Sequence, residues 1–75
     1  MPLARLISQV TGAVWSVEAP VGTAVHAGAA VRIVESMKME IPICSERDVG
    51  VVRLLFARGD RVSDGDIVAV LDPAR

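Results

Sequence analysis

Residues 12–35 and 50–72 are two versions of one pattern. The first reads GAVWSVEAPVGTAVHAGAAVRIVE and the second GVVRLLFARGDRVSDGDIVAVLD. Each opens on a glycine followed by apolar residues and reaches a second glycine, Gly22 or Gly59. A valine stands three residues on (Val25, Val62), and a third glycine three beyond that (Gly28, Gly65). Each half closes in an apolar run ended by an acid, Val31–Glu35 and Ile67–Asp72. From the second glycine onward the halves align without a gap at an offset of 37 residues. Glycines at matched positions mark turns that require positive φ. A duplicated chain of this length therefore points to two facing units related by a pseudo-two-fold axis.

The spacing of turn residues predicts strands over Leu3–Gln9, Ala13–Glu18, Ala30–Glu35, Met39–Cys44, Val51–Phe56 and Ile67–Leu71. Turns are expected at Ala19–Thr23, His26–Ala29, Ala57–Asp60 and Ser63–Asp66. Ala30, Ile33, Val34, Met37 and Ile41 also fall near helical spacing. The repeat argues against a helix there. The matching run Ile67–Leu71 is too short for one, closed between Gly65 and Pro73. The architecture expected is an all-β sandwich or barrel.

At 75 residues the chain is one small domain, expected to span 1–75, with room for a compact core but no large enclosed active site. The 52% hydrophobic content with 3% aromatic makes that core Val, Ile, Leu and Ala, which suits pleated strands. Net charge is −1, no basic cluster occurs, and only Trp15 and Phe56 could stack on a base, which argues against nucleic-acid binding. Cys44 is the single cysteine, which excludes an intramolecular disulfide and a cysteine zinc site and fits a reducing compartment. Met1–Val10 lacks the pattern of a signal peptide, and no stretch approaches a membrane span. A soluble cytoplasmic protein is expected. No hydrolytic, redox or metal-binding constellation appears. His26 reads as a solvated turn residue, Cys44 as a buried inert thiol at a strand end, and Trp15 as a partly buried strand residue.

Lys38 is the only lysine, against seven arginines. Lysine can become a neutral nucleophile and arginine cannot. The chain thus offers one side-chain amine to an acylating enzyme, although a bias toward arginine would give the same count. Lys38 lies in the near-symmetric run Glu35-Ser36-Met37-Lys38-Met39-Glu40. If Val31–Glu35 and Met39–Ile43 pair as a hairpin, Met37 and Lys38 form a two-residue turn. Such turns need positive φ and favour Asn-Gly or other glycine pairs. Met-Lys breaks that rule, and breaches of local rules are expected at functional sites. Met37 and Met39 are expected to be exposed, as adaptable contact surface for several partners in succession.

The run Glu35–Ile43, Glu-Ser-Met-Lys-Met-Glu-Ile-Pro-Ile, resembles the attachment motif of biotinyl domains, the biotin carboxyl carrier family within the biotin/lipoyl attachment domains. Gly12-Ala13-Val14, Pro20-Val21-Gly22, Ala27-Gly28, Gly59-Asp60 and Asp64-Gly65 match other parts of the pattern, so the resemblance covers about residues 5–72. One departure is Asp48-Val49-Gly50, where the family usually has Asp-Gly. A bulge giving Gly50 the special backbone angle is the expected remedy, and it leaves the register of residues 46–53 open.

The resemblance implies a flattened β-barrel of two four-stranded antiparallel sheets with quasi-two-fold symmetry. It also implies a free-standing carrier, a monomer when isolated and not itself an enzyme. On this reading a biotin protein ligase attaches biotin covalently to Lys38, with Met37 and Met39 as flanking recognition residues. Glu35 and Glu40 would be ligase-docking contacts or ordinary solvated charges. A biotin carboxylase would load CO₂ on the biotin and a carboxyltransferase would pass it to an acceptor such as an acyl-CoA. Two other readings share the fold: a lipoyl carrier, whose lysine typically follows aspartate, and an unmodified structural or binding module.

Overall fold

The turn glycines divide the chain into eight short strands, and no helix occurs among the described residues. The structure is a computed structural model that describes residues 3–73. In chain order the strands are β1 (Ala4–Ile7), β2 (Gly12–Val17), β3 (Ala24–Val25) and β4 (Ala30–Ser36), then β5 (Met39–Cys44), β6 (Val49–Leu54), β7 (Arg61–Val62) and β8 (Ile67–Asp72). They form two four-stranded antiparallel sheets, β1-β8-β6-β3 and β5-β4-β2-β7. Gly22, Gly28, Gly59 and Gly65 all have positive φ, as their matched turn positions require.

Residues 30–36 are strand, so the helical spacing at Ala30–Ile41 is a coincidence of composition. Two strands were not expected. Each of β3 and β7 has only two residues, too short to carry a periodic signal, and each lies between two of the expected turns. The strand expected over Val51–Phe56 begins earlier, at Val49, and ends at Leu54.

The two-fold relation is closer than the glycines suggest. Every register pair of one sheet recurs in the other at an offset of 37 residues. Ala13↔Glu35 and Val14↔Val34 in β2–β4 correspond to Gly50↔Asp72 and Val51↔Leu71 in β6–β8. The register irregularity between Val14 and Ser16 recurs between Val51 and Arg53. Buried Ser8 caps its own turn at the Val10 carbonyl oxygen (2.7 Å), and buried Ser45 does the same at Arg47 (2.6 Å). The expected remedy for Asp48-Val49-Gly50 is therefore corrected. Gly50 is not among the positive-φ residues, no bulge occurs before it, and it pairs regularly with Ala24 and Asp72. Val49 simply stands where Gly12 stands in the first half, pairing with Val25 as Gly12 pairs with Val62.

The core is likewise double. Ala19, Val25, Val31, Val49, Val51, Ala69 and Leu71 form one apolar cluster, and Val14, Val34, Ile43, Val62 and Val68 form the other. At about 25 cal/mol per Å² of apolar area removed from water, valine-sized side chains stabilise such a core individually by about 2 kcal/mol. Residues 37–40 connect the two repeats and are extruded from both clusters, which leaves them exposed.

Candidate functional site

The connection between the repeats is a hairpin. Its register runs Val34↔Ile41, Glu35↔Glu40 and Ser36↔Met39, leaving Met37 and Lys38 as a two-residue loop. Their φ values are 53° and 65°, the left-handed pair of a type I′ turn. This turn matches the right-handed twist of the flanking strands, but its conformation costs a non-glycine residue on the order of 1 kcal/mol. The structure thus bears out the turn expected from the sequence, with the strain it implies.

Both methionines beside Lys38 stand in the open: Met37, in the turn, is 92% exposed and Met39, after it, 64%. Lys38 is exposed and makes no hydrogen bond or ion pair with a described residue. Nothing in the fold covers its amine, which suits a group carried covalently beyond the protein surface. Glu35 and Glu40 are direct cross-strand partners, a like-charge pair that opposes hairpin pairing. Two devices at the base anchor the β4 arm of the hairpin to β2 and the residue before it. The Ser36 hydroxyl donates to the Thr11 carbonyl oxygen (2.8 Å). Gly12 lets β2 approach β4 closely enough that a Cβ there would run into the Glu35 carbonyl oxygen. The obstructing atom is backbone, so no rotamer change relieves it. Gly12→Ala is expected to destabilise the fold by about 1–3 kcal/mol, seen as a fall in the thermal midpoint on the order of 10 °C. An unchanged melting curve would show that the strands separate there at no cost.

A groove of about 420 Å³ lies against the hairpin, with Lys38, Glu35 and Ser36 on one side and Arg61 on the other. A larger groove of about 740 Å³ runs between the edge strands β1 and β5 but does not reach Lys38. Among the described residues, no group of three or more His, Cys, Asp or Glu could hold a metal ion. Among the described residues, no helix is long and apolar enough to cross a membrane.

Three residues differ from their sequence reading or escaped it. Cys44 ends the edge strand β5 and is exposed, not buried, because it lies beside the open groove. Trp15 sits in the register irregularity of β2 and is 39% exposed, with the Arg58 guanidinium 5.4 Å from its ring centre. His26 is exposed as expected, with Nδ1 at 3.9 Å from the Asp48 carboxylate. Arg32 was missed altogether. It is 1% exposed, in the middle of β4, and its guanidinium donates to the carbonyl oxygens of Leu55, Phe56 (2.8 Å) and Val68 (3.3 Å). Burial pushes its pKa down, and the Asp60 carboxylate partly opposes that shift. Nε has no partner among the described residues.

Comparison with known proteins agrees with this geometry. The biotin/lipoyl family model, described as "Biotin-requiring enzyme", matches residues 1–71. The chain is 40% identical over 63 residues to the biotin/lipoyl attachment protein of Bacillus subtilis, covering 84% of this chain and 86% of that protein. It is 35% identical over 65 residues to the urea amidolyase of Saccharomyces cerevisiae, covering 87% of this chain but 4% of that one. Among solved structures it superposes on the urea carboxylase of Kluyveromyces lactis with a TM-score of 0.90 at 38% identity, covering 95% of this chain and 6% of that chain. A single-chain, multi-domain long-chain acyl-CoA carboxylase gives 0.88 at 33% identity, with coverage of 93% and 7%. The chain thus spans a small part of the carboxylases it matches and most of the Bacillus protein. With a matched family model, two relatives above the identity expected by chance and the same eight-strand barrel, the chain belongs to the biotin/lipoyl attachment family.

Proposed function

We propose that this chain is a biotin carboxyl carrier in which Lys38 is the attachment residue. The observation that carries the reading is the exposed, unpartnered Lys38 at the positive-φ tip of a hairpin between two exposed methionines. A biotin protein ligase would present biotinyl-adenylate to this tip. The Lys38 ammonium first loses one proton, the neutral nitrogen attacks the acyl carbon, AMP leaves with the acyl–phosphate oxygen, and a second proton passes to the ligase, so that the amide keeps one N–H. The rigid hairpin holds the nitrogen away from the barrel, so the ligase supplies alignment without unfolding anything. Met37 and Met39 offer polarizable apolar contact to the ligase and then to the carboxylase sites. Glu35 and Glu40 add a negative edge on which a basic ligase surface can dock.

The chain itself carries out no bond-making on CO₂. A biotin carboxylase loads the attached biotin and a carboxyltransferase unloads it, and tethering keeps the biotin near both at high effective concentration. The matched carboxylase structures support partners of this class, and the isolated domain is read as a cytoplasmic monomer.

Biotin is preferred over lipoate because the residue before Lys38 is Met37, where lipoyl domains typically carry aspartate. Parallel reactions with a biotin ligase and a lipoate ligase separate the two. Intact mass spectrometry is expected to show a single biotin adduct from the first and no adduct from the second. A lipoyl adduct with no biotin adduct would overturn the assignment. No adduct from either would favour an unmodified module.

A further inference from the structure

The groove beside the hairpin has walls of opposite charge with small residues, Gly12 and Ala13, between them. Arg61, Ala13 and Glu35 are successive register partners across β7, β2 and β4. Their backbones therefore stand two strand spacings apart, about 9–10 Å. Ala13 lies between them with a single methyl, and Gly12 beside it adds no side chain. The opening measures about 420 Å³ and is lined also by Thr11, Ser36, Met37 and Lys38. Small-molecule sites typically measure about 300–1,000 Å³.

We propose that this groove is a resting site for the ureido ring of biotin carried on Lys38, with Arg61 as the residue that holds it. The inference rests on the reading of Lys38 as a biotin acceptor. The ureido ring has a carbonyl oxygen that accepts hydrogen bonds and N–H groups that donate them. A guanidinium only donates and a carboxylate only accepts. Arg61 and Glu35 therefore complement opposite kinds of group on one small ring. The bond from the Arg61 guanidinium is charge-assisted, and once the ring carries CO₂ its negative charge adds an ion pair to it. Lys38 lines the groove itself, so its short flexible arm can fold back. The tether supplies the ring at an effective concentration of about millimolar order, enough to fill a site whose affinity for free biotin is weak. A dithiolane ring has neither the carbonyl nor the N–H groups, so the same walls give lipoate no matching contact.

Two-dimensional NMR of the unmodified and fully biotinylated chain tests this, with intact mass confirming the modification. Biotinylation is expected to shift the amides of Thr11, Gly12, Ala13 and Arg61 as well as those of residues 36–40. In biotinylated Arg61→Ala, the shifts at residues 11–13 are expected to vanish while those at 37–39 remain. Ala13→Leu fills the floor without removing the charge and is expected to give the same loss. Shifts confined to residues 36–40 in the biotinylated parent chain would overturn the resting site while leaving the carrier assignment intact. An unchanged intact mass after ligase treatment overturns the carrier assignment, and the resting site falls with it.

Discussion

Lys38→Arg is expected to give a chain that folds like the parent and accepts no biotin at all. Arginine keeps the positive charge and the long flexible stem, and it meets the same cost of positive φ as lysine. What it loses is the amine, since a guanidinium is not deprotonated to a nucleophile under protein conditions. No second lysine exists to take over. Lys38→Ala removes the charge as well and is expected to show the same loss. Both variants should melt close to the parent, because Lys38 is exposed and bonds to nothing described. Intact mass and streptavidin blotting after ligase treatment read the result. A streptavidin-reactive Lys38→Ala chain would sink the assignment, because the acceptor would then lie elsewhere.

The hairpin was legible because its signal is local. A turn of two residues demands positive φ whatever surrounds it, and Met37-Lys38 stands out as a pair that resists it. The strands were legible because glycine punctuation repeats. What stayed hidden was set by contacts between segments distant in sequence. The need for Gly12 lies in the approach of β4, 23 residues away at Glu35, and no local pattern marks it. Gly50 was expected at a special backbone angle because the attachment family usually has Asp-Gly at this point, yet the sheet registers place Val49 opposite Val25 as Gly12 lies opposite Val62. Arg32 was the deepest omission. Within an apolar run an arginine reads as one of the outward positions of a strand, and only the opposite sheet reveals why it points in.

That reason lies in a local breach of the two-fold symmetry. The mate of Arg32 is Ala69, the mate of Phe56 is Ala19, and the mate of Gly12 is Val49. In one half Ala19, Val49 and Ala69 are all buried together. In the other, Gly12 has no side chain and Phe56 is turned outward with φ of 68°. The long Arg32 side chain is buried in this half, where the other half buries the small Ala69. Its head also replaces a missing backbone donor. Val31 carbonyl oxygen accepts from the amides of both Glu18 (2.9 Å) and Ala19 (3.2 Å). Its mate, the Val68 carbonyl oxygen, accepts from Leu55 N (3.1 Å) and from Arg32 Nη1. Arg32 thus ties β4, the strand that leads into the hairpin, to the segment after β6 in the opposite sheet.

Arg32→Ala is accordingly expected to be the most destabilising single change in the molecule. It opens a cavity and leaves the Leu55 and Phe56 carbonyl oxygens without their donor. Unpaired buried polar groups cost about 1–3 kcal/mol each, reduced where water can enter. A net loss of about 2–4 kcal/mol is expected, seen as a fall in thermal midpoint of about 10–25 °C for a domain of this size. Arg32→Met separates packing from polar bonding, because it keeps the stem and removes both the buried charge and the donors. Replacing a buried charge by an apolar side chain can be neutral when its partners are satisfied elsewhere. Here Val68 keeps the Leu55 amide but the Leu55 and Phe56 carbonyls lose the Arg32 bonds, so Arg32→Met is expected to fall between parent and Arg32→Ala. Chemical denaturation of the three chains measures the order. An Arg32→Met chain as stable as the parent would show that the stem alone holds the sheets together. An Arg32→Met chain no better than Arg32→Ala would instead assign the whole effect to the three carbonyl bonds.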